Sequence, residues 1–215
     1  LQRQGIQLEW LILSHDDNDH SVGARAMLSA YPDIQLTTAS QKRYGEKNTE
    51  ENDRTFCLAG KQWTWQGLYF TVLSPNNIVP RAENPDSCTL LLTDGKYNIL
   101  LTGDADLSVE YKILPKLNKI HVLQVGHHGS KTSTGEALVH HTRPDIALIS
   151  SGRWNPWHFP NNEVMARLKQ QGTQSYNTAE TGQISLLFHE NKIEIQTARA
   201  EFSPWYRRLI GLKGK

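Results

Sequence analysis

A layered α/β fold is what this sequence predicts, on three observations. Short apolar segments alternate with helical ones in both halves of the chain, turn-punctuated β segments fill the middle, and potential metal ligands sit directly behind the apolar segments. Such alternation argues for sheets covered by helices rather than a bundle or a sandwich of strands alone. At 215 residues the chain suits one large domain with a substantial core.

Each element follows in order. Leu8 to Ser14 is short and apolar and meets an acidic cluster, which predicts a buried strand; Val22 to Ala30 has helical composition and stops before Pro32. Ile34 to Ala39 predicts a second strand. Gln41 to Arg54, dominated by Lys, Glu and Asn, predicts a polar loop and is the best candidate for disorder. Strands are then expected at Gln62 to Gln66, Leu68 to Ser74, Ser87 to Thr93 and Tyr97 to Thr102, the last two joined by an Asp94-Gly95 hairpin signal. A helix near Leu107 to Leu117, a strand at Val122 to Val125, a helix at Gly135 to His141 and a strand at Asp145 to Ser150 continue the alternation. A helix at Asn162 to Gln171 precedes two closing strands, Gln183 to Phe188 and Lys192 to Thr197.

Composition excludes several classes. Hydrophobic residues make up 38% and charged ones 21%, and mean hydropathy is -0.54, which argues against a disordered or membrane-embedded chain. No apolar run approaches the roughly 18 residues of a membrane helix. A net charge of +1 leaves no global electrostatic footprint, although Arg207, Arg208, Lys213 and Lys215 form a basic tail over 207–215 that could touch an anionic partner or simply be solvated. Cys57 and Cys88 are the only cysteines and have no CxxC spacing, so their redox state and compartment stay open.

The chemistry starts at His15-Asp16-Asp17-Asn18-Asp19-His20, where two imidazoles and three carboxylates follow a strand at a strand-to-helix turn. A merely polar loop needs no histidines, whereas this mixture supplies nitrogen and hard oxygen donors together and predicts a metal site with two ions. Further candidates stand at other strand ends: Asp104, the pair His127 and His128, and His158. Singly each has a bland reading, since Asp104 could cap a helix, the paired histidines could form a polar turn, and His158, beside Trp154 and Trp157, could be a packed histidine. Together, ligands at several strand ends can converge on one rim of a sheet.

The motifs His15 to His20, Leu101-Thr102-Gly103-Asp104, Val125 to Ser130 and His158-Phe159-Pro160 resemble the metallo-β-lactamase superfamily, and within it the C-terminal domain of the ComEC-like DNA-internalisation branch. The resemblance covers about Gly5 to Tyr206 and implies an αββα metallo-β-lactamase-like domain over 1–206. It implies His15 and Asp17 on one ion, Asp19 and His20 on the other, Asp104 bridging, and one of His127 and His128 completing a shell, with His127 favoured for lying nearer the strand end. Asp19 and His158 are the implied catalytic residues. Asp17 stands where the superfamily pattern has a second histidine, and carboxylate for imidazole shifts preference toward Mn²⁺ over Zn²⁺. Phe159 separates His158 from Pro160, a departure from the branch pattern.

The implied activity is metal-dependent hydrolysis of DNA, single strands above all, during uptake for transformation. Ser130, Lys131, Thr132 and Ser133 are candidates to hold phosphate oxygens. The competing expectations are hydrolysis of another ester or amide, and a noncatalytic DNA-guiding module of a membrane channel. Resemblance also implies an inner-membrane parent with this domain on the extracytoplasmic side. The chain begins directly before its first motif, so the expected fold lacks N-terminal strands, as a fragment or a truncated product, and should expose a strand edge and aggregate when expressed alone.

Overall fold

The computed structural model describes residues 7–44 and 54–199. Most of the polar segment expected to be disordered, and the basic tail, lie outside the described residues. The order is β1 (Trp10–Leu13), α1 (Asn18–Ser21), α2 (Ala24–Ala30), β2 (Gln35–Thr38), β3 (Arg54–Phe56), β4 (Gln62–Trp65), β5 (Leu68–Ser74), β6 (Thr89–Thr93) and β7 (Asn98–Leu101). There follow α3 (Leu107–Ile113), β8 (Val122–Gln124), α4 (Glu136–Thr142), β9 (Ile146–Ile149), α5 (Asn162–Gln170), β10 (Gln174–Asn177), α6 (Thr178–Thr181), β11 (Ile184–Phe188) and β12 (Ile193–Thr197).

Two sheets carry the fold. The smaller is parallel in the order β1-β2-β3; the larger runs β10-β9-β8-β7-β6-β5-β4. Its half from β4 to β7 is antiparallel and its half from β7 to β10 is parallel. Strands β11 and β12 form a separate antiparallel ribbon.

Side-chain alternation stacks these into four layers. On β6, Leu90 and Leu92 face the small sheet while Leu91 faces the helices, and on β7 Ile99 and Leu101 oppose Leu100 in the same way. A strand covered on both faces reads as an unbroken apolar run, as Leu90 to Leu92 does. Between the sheets lie Ile12, Ala39, Val72, Leu90 and Leu92. Outside the small sheet, α2 buries Ala24 and Leu28 against Leu13 and Leu36. Outside the large sheet, Val109, Ile113 and Leu138 of α3 and α4 pack on Leu100 and Leu123, and Val164 and Leu168 of α5 on Ala147 and Ile149.

Three local details differ from the expected elements. The first helix is split in two, because the acidic cluster itself turns helical, with Ser21 N–H donating to the Asp17 carbonyl at 2.9 Å, before the chain breaks at Val22-Gly23. Strand β3 closes the segment expected to be a loop, and β10 is a polar strand with no apolar run to mark it. Both are short edge strands, whose pairing is dictated by the neighbour rather than by their own composition.

Cys57, just after β3, and Cys88, just before β6, form a disulfide with Cα atoms 5.8 Å apart that staples the two sheets within their shared core. Closing a loop across a sequence separation of 31 residues is worth roughly 3 to 4 kcal/mol in the chain-entropy account. Replacing both cysteines with serine, or adding reductant, is expected to lower Tm by roughly 10 °C, read by differential scanning calorimetry. An unchanged Tm would show that the bridge carries no stability.

Candidate metal centre

Four loops bring the site together at one rim. His15 to His20 leave β1, Gly103-Asp104 leave β7, His127-His128 leave β8, and the segment 150–160 leaves β9. The ends of β1 and β7 touch: Gly103 has φ +57, and a Cβ there would lie 2.8 Å from the Ser14 Cβ, so a larger residue would push Asp104 away from His15. The helix behind Asp104 is capped by Asp106, whose side chain accepts from Val109 N–H at 3.1 Å, which leaves the Asp104 carboxylate to face the rim.

Asp104, 4% exposed in its side chain, is the hub. Its carboxylate oxygens lie 3.9 Å from His15 Nε2, 3.2 Å from His20 Nε2, 3.8 Å from His127 Nε2 and 3.9 Å from His128 Nε2. Asp17 stands 3.6 Å from His15 Nε2, while Asp19 reaches His20 Nε2 at 3.7 Å and His128 Nε2 at 3.0 Å. One donor atom from each of Asp19, His20, Asp104 and His128 fits within 4.8 Å of the others. Both members of the histidine pair therefore reach the cluster, each within 4 Å of the same Asp104 oxygen, Oδ2. They do so in left-handed backbone, with φ of 48 and 55, a conformation that costs a non-glycine residue roughly 1 kcal/mol or more.

The other ring nitrogens show how the imidazoles are aimed. His128 Nδ1 lies 2.7 Å from the Ser150 carbonyl, which can only accept, so the proton sits on Nδ1 and Nε2 carries the lone pair. That lone pair faces the Asp19 carboxylate, so a positive charge is required between them, as a second ring proton or a metal cation. Ser14 Oγ sits 3.0 Å from His15 Nδ1 and 3.3 Å from His20 Nδ1, and Thr132 Oγ1 sits 3.3 Å from His127 Nδ1. His15 Nε2, His20 Nε2 and Asp104 Oδ1 are buried without any hydrogen-bond partner. Orphaned ligand atoms of this kind, gathered around one carboxylate, fit divalent cations that would take up their lone pairs.

The electrostatics run the same way. Burial opposes ionisation of Asp104, but the close approach of His20, with His127 and His128 behind it, outweighs burial and holds the carboxyl below its usual range. Burial also opposes charging of His20, yet Asp104 and Asp19 raise its pKa. For His15, burial and the neighbouring His20 win over the carboxylates and its pKa falls. Asp19 is likewise held low, burial being outweighed by its bond with His128. The result is an ionised carboxylate among imidazoles.

Other residues named from the sequence take different places. Asp16 turns away from the centre into the protein. His158, at φ +54, is exposed and outside the cluster; the loop meets the centre through Phe159, whose ring lies 5.9 Å from that of His127. Ser133 is buried with its hydroxyl donating to the Ala105 carbonyl at 2.7 Å, and Ser130 bonds Thr132 at 2.9 Å. Lys131 and Thr132 are exposed, and Thr132 lines a cleft of 480 Å³ with Asp17, Asn84 and His127. Behind this loop, burial raises the Glu110 carboxyl to about 7 although Gly135 and Thr134 N–H donate to it.

Sequence reasoning missed the orienting groups. Ser14 carried a signal in its position beside the motif. Gln124, which receives Thr102 and Gly103 N–H at 3.1 and 3.2 Å and so fixes the turn into Asp104, was visible as a lone amide in an apolar strand. The Ser150 carbonyl, being backbone, carried none.

A profile of the metallo-beta-lactamase superfamily matches residues 1–153 of this chain. Recombination protein 2 of Haemophilus influenzae is 57% identical over 212 residues, covering 99% of this chain and 26% of that protein. Competence protein ComA of Neisseria gonorrhoeae is 27% identical over 213 residues, covering 97% of this chain and 29% of its own length. The chain thus spans little more than a quarter of these curated relatives. Among solved structures, CmlA, a diiron β-hydroxylase from Streptomyces venezuelae, shares the fold with a TM-score of 0.54 over 79% of this chain and 43% of that one, at 8% identity.

Proposed function

This chain belongs to the metallo-beta-lactamase superfamily, and from that premise we propose that it is a metal-dependent phosphodiesterase cutting DNA during uptake, as the C-terminal domain of a ComEC-like protein. The observation that carries the reading is the Asp104 carboxylate set among four imidazoles, with buried ring nitrogens left unpartnered. The name of the Neisseria relative supports the competence setting.

In this reading His20, Asp19 and His128 would hold one divalent ion and His15, Asp17 and His127 the other, with Asp104 placed to serve both. When bound, the ions supply Lewis acidity toward a phosphoryl oxygen and a water acidified toward neutrality. Asp19, with its side chain 60% exposed, is placed to take the proton of the attacking water. Lys131 and Thr132 face the approaching phosphates, while Ser130 and Ser133 shape the loop that carries them. His158, exposed beyond the cluster, is assigned to substrate rather than to metal. A carboxylate at Asp17, where the superfamily pattern has a second histidine, makes the donor set harder than that pattern and supports Mn²⁺ over Zn²⁺.

Among the described residues no helix is long and apolar enough to cross a membrane. The Cys57–Cys88 bridge supports an oxidising, extracytoplasmic setting, since cytosolic thiols are kept reduced.

The test is to incubate the protein with end-labelled single-stranded and duplex DNA, with Mn²⁺, Zn²⁺, Mg²⁺ or a chelator. Cleavage is expected with Mn²⁺ and none with chelator. Metal loading of two equivalents with no cleavage of any phosphodiester would defeat the proposal.

A further inference from the structure

Two indoles stand in solvent on the segment that leaves β9 and meets the centre through Phe159. Trp154 is 90% exposed and Trp157 71%. Neither contributes to the core clusters, so folding gives no reason for them. Trp157 stacks on Phe159 with 17° between the planes and 6.4 Å between centroids, and Phe159 stands edge-on to His127 at 5.9 Å. A file of rings therefore leads from solvent to an imidazole that touches Asp104.

The segment carrying these rings is held in one shape. Asn155 Nδ2 donates to the Gly152 carbonyl at 2.8 Å and the Phe159 carbonyl at 2.9 Å, and Asn155 Oδ1 accepts from Phe159 N–H at 2.7 Å. It is also latched to the histidine pair. Asn161 N–H donates to the Gly129 carbonyl at 2.8 Å, and Pro160 fits so closely over Gly129 that a Cβ there would lie 2.5 Å from the Pro160 Cβ. The spacing between the aromatic rings and the metal cluster is thus fixed by backbone contact.

We propose that residues 152–160 form a base-stacking platform that grips unpaired nucleobases and so presents the adjoining phosphodiester of a single strand to the Asp104 cluster. The proposal rests on the phosphodiesterase reading and specifies its substrate. Nucleobases offer flat π-faces that stack on indoles whatever the sequence, and in a duplex those faces are already covered by neighbouring bases. Exposed Lys131 beside the histidine pair adds positive charge for the strand's backbone.

The test follows tryptophan fluorescence in chelator, with oligothymidylate, an abasic deoxyribose-phosphate chain of equal length, and duplex DNA. Oligothymidylate should bind at least about tenfold more tightly than the other two, and Trp154→Ala and Trp157→Ala should each weaken it by roughly 5- to 100-fold. Both side chains are exposed, so the variants should melt like the parent, which calorimetry checks. Equal affinity for base-bearing and abasic chains would overturn the platform. So would a fluorescence response to anionic lipid vesicles but not to DNA, or a dimer of the parent that the Trp157→Ala change dissolves. Metal-dependent hydrolysis of bis(p-nitrophenyl) phosphate is measured separately. If it proceeds while base selectivity is absent, only the platform fails; if base selectivity holds and no phosphodiester is cleaved, only the phosphodiesterase reading fails.

Discussion

Replacing Asp104 with asparagine is expected to lower metal-dependent cleavage of DNA by roughly 10³-fold or more in kcat/KM. This carboxylate lies within 3.2 to 3.9 Å of four imidazole nitrogens, so it is the one group shared by both halves of the proposed centre. The amide keeps its shape but loses the charge and one of the two acceptor oxygens a bridging ligand needs. Bound metal should fall below two equivalents, measured by elemental analysis, while circular dichroism stays that of the parent. A variant that kept both ions and its cleavage rate would remove Asp104 from the chemistry.

Replacing Asp16 with alanine is expected to cost about 4 kcal/mol of stability, because it leaves buried donors without a partner. Asp16 is 1% exposed. Its Oδ1 receives Ser40 Oγ at 3.0 Å and the Tyr44 hydroxyl, and its Oδ2 receives Ala82 N–H at 2.7 Å. Burial and this bond to Asp16 together push the Tyr44 pKa up, so the phenol stays a donor. The Asp16 N–H further donates to the Ala82 carbonyl at 3.0 Å, and the Asp16 carbonyl accepts from Ser21 Oγ at 2.9 Å. This one residue ties the metal loop to the chain beyond β2 and to the segment before β6. Tm should fall by roughly 8 to 16 °C, and metal affinity should weaken with it, since His15 and Asp17 flank the lost anchor. Asparagine should lie between, as it retains one acceptor but turns an N–H toward the Ala82 N–H. A parent-like melting curve for the alanine variant would show that these bonds are dispensable.

Much of the architecture was legible in the sequence. The unbroken apolar run Leu90 to Leu92 and the Asp94-Gly95 turn marked β6 and β7, where Asp94 Oδ1 does receive Lys96 and Tyr97 N–H at 2.9 and 2.7 Å. The resemblance to the metallo-β-lactamase superfamily rested on residues behind β1, β7 and β8, and the family match bears it out. The short edge strands β3 and β10 were missed because they are paired by what lies beside them. The split of the first helix was missed because the turn over Asn18 to Ser21 is made of residues that read equally well as loop.

The sequence by itself determined which side chains could bind a metal and which strands would end beside them, because apolar periodicity and ligand chemistry are properties of neighbours along the chain. Only the tertiary structure decided that Asp16 faces inward, that His127 and His128 both reach Asp104, that Cys57 meets Cys88, and that Phe159 rather than His158 touches the cluster. Each of those outcomes depends on contacts between segments distant in sequence. There, packing of the four layers and the demand that buried polar groups find partners select one direction for a side chain whose local sequence allows several.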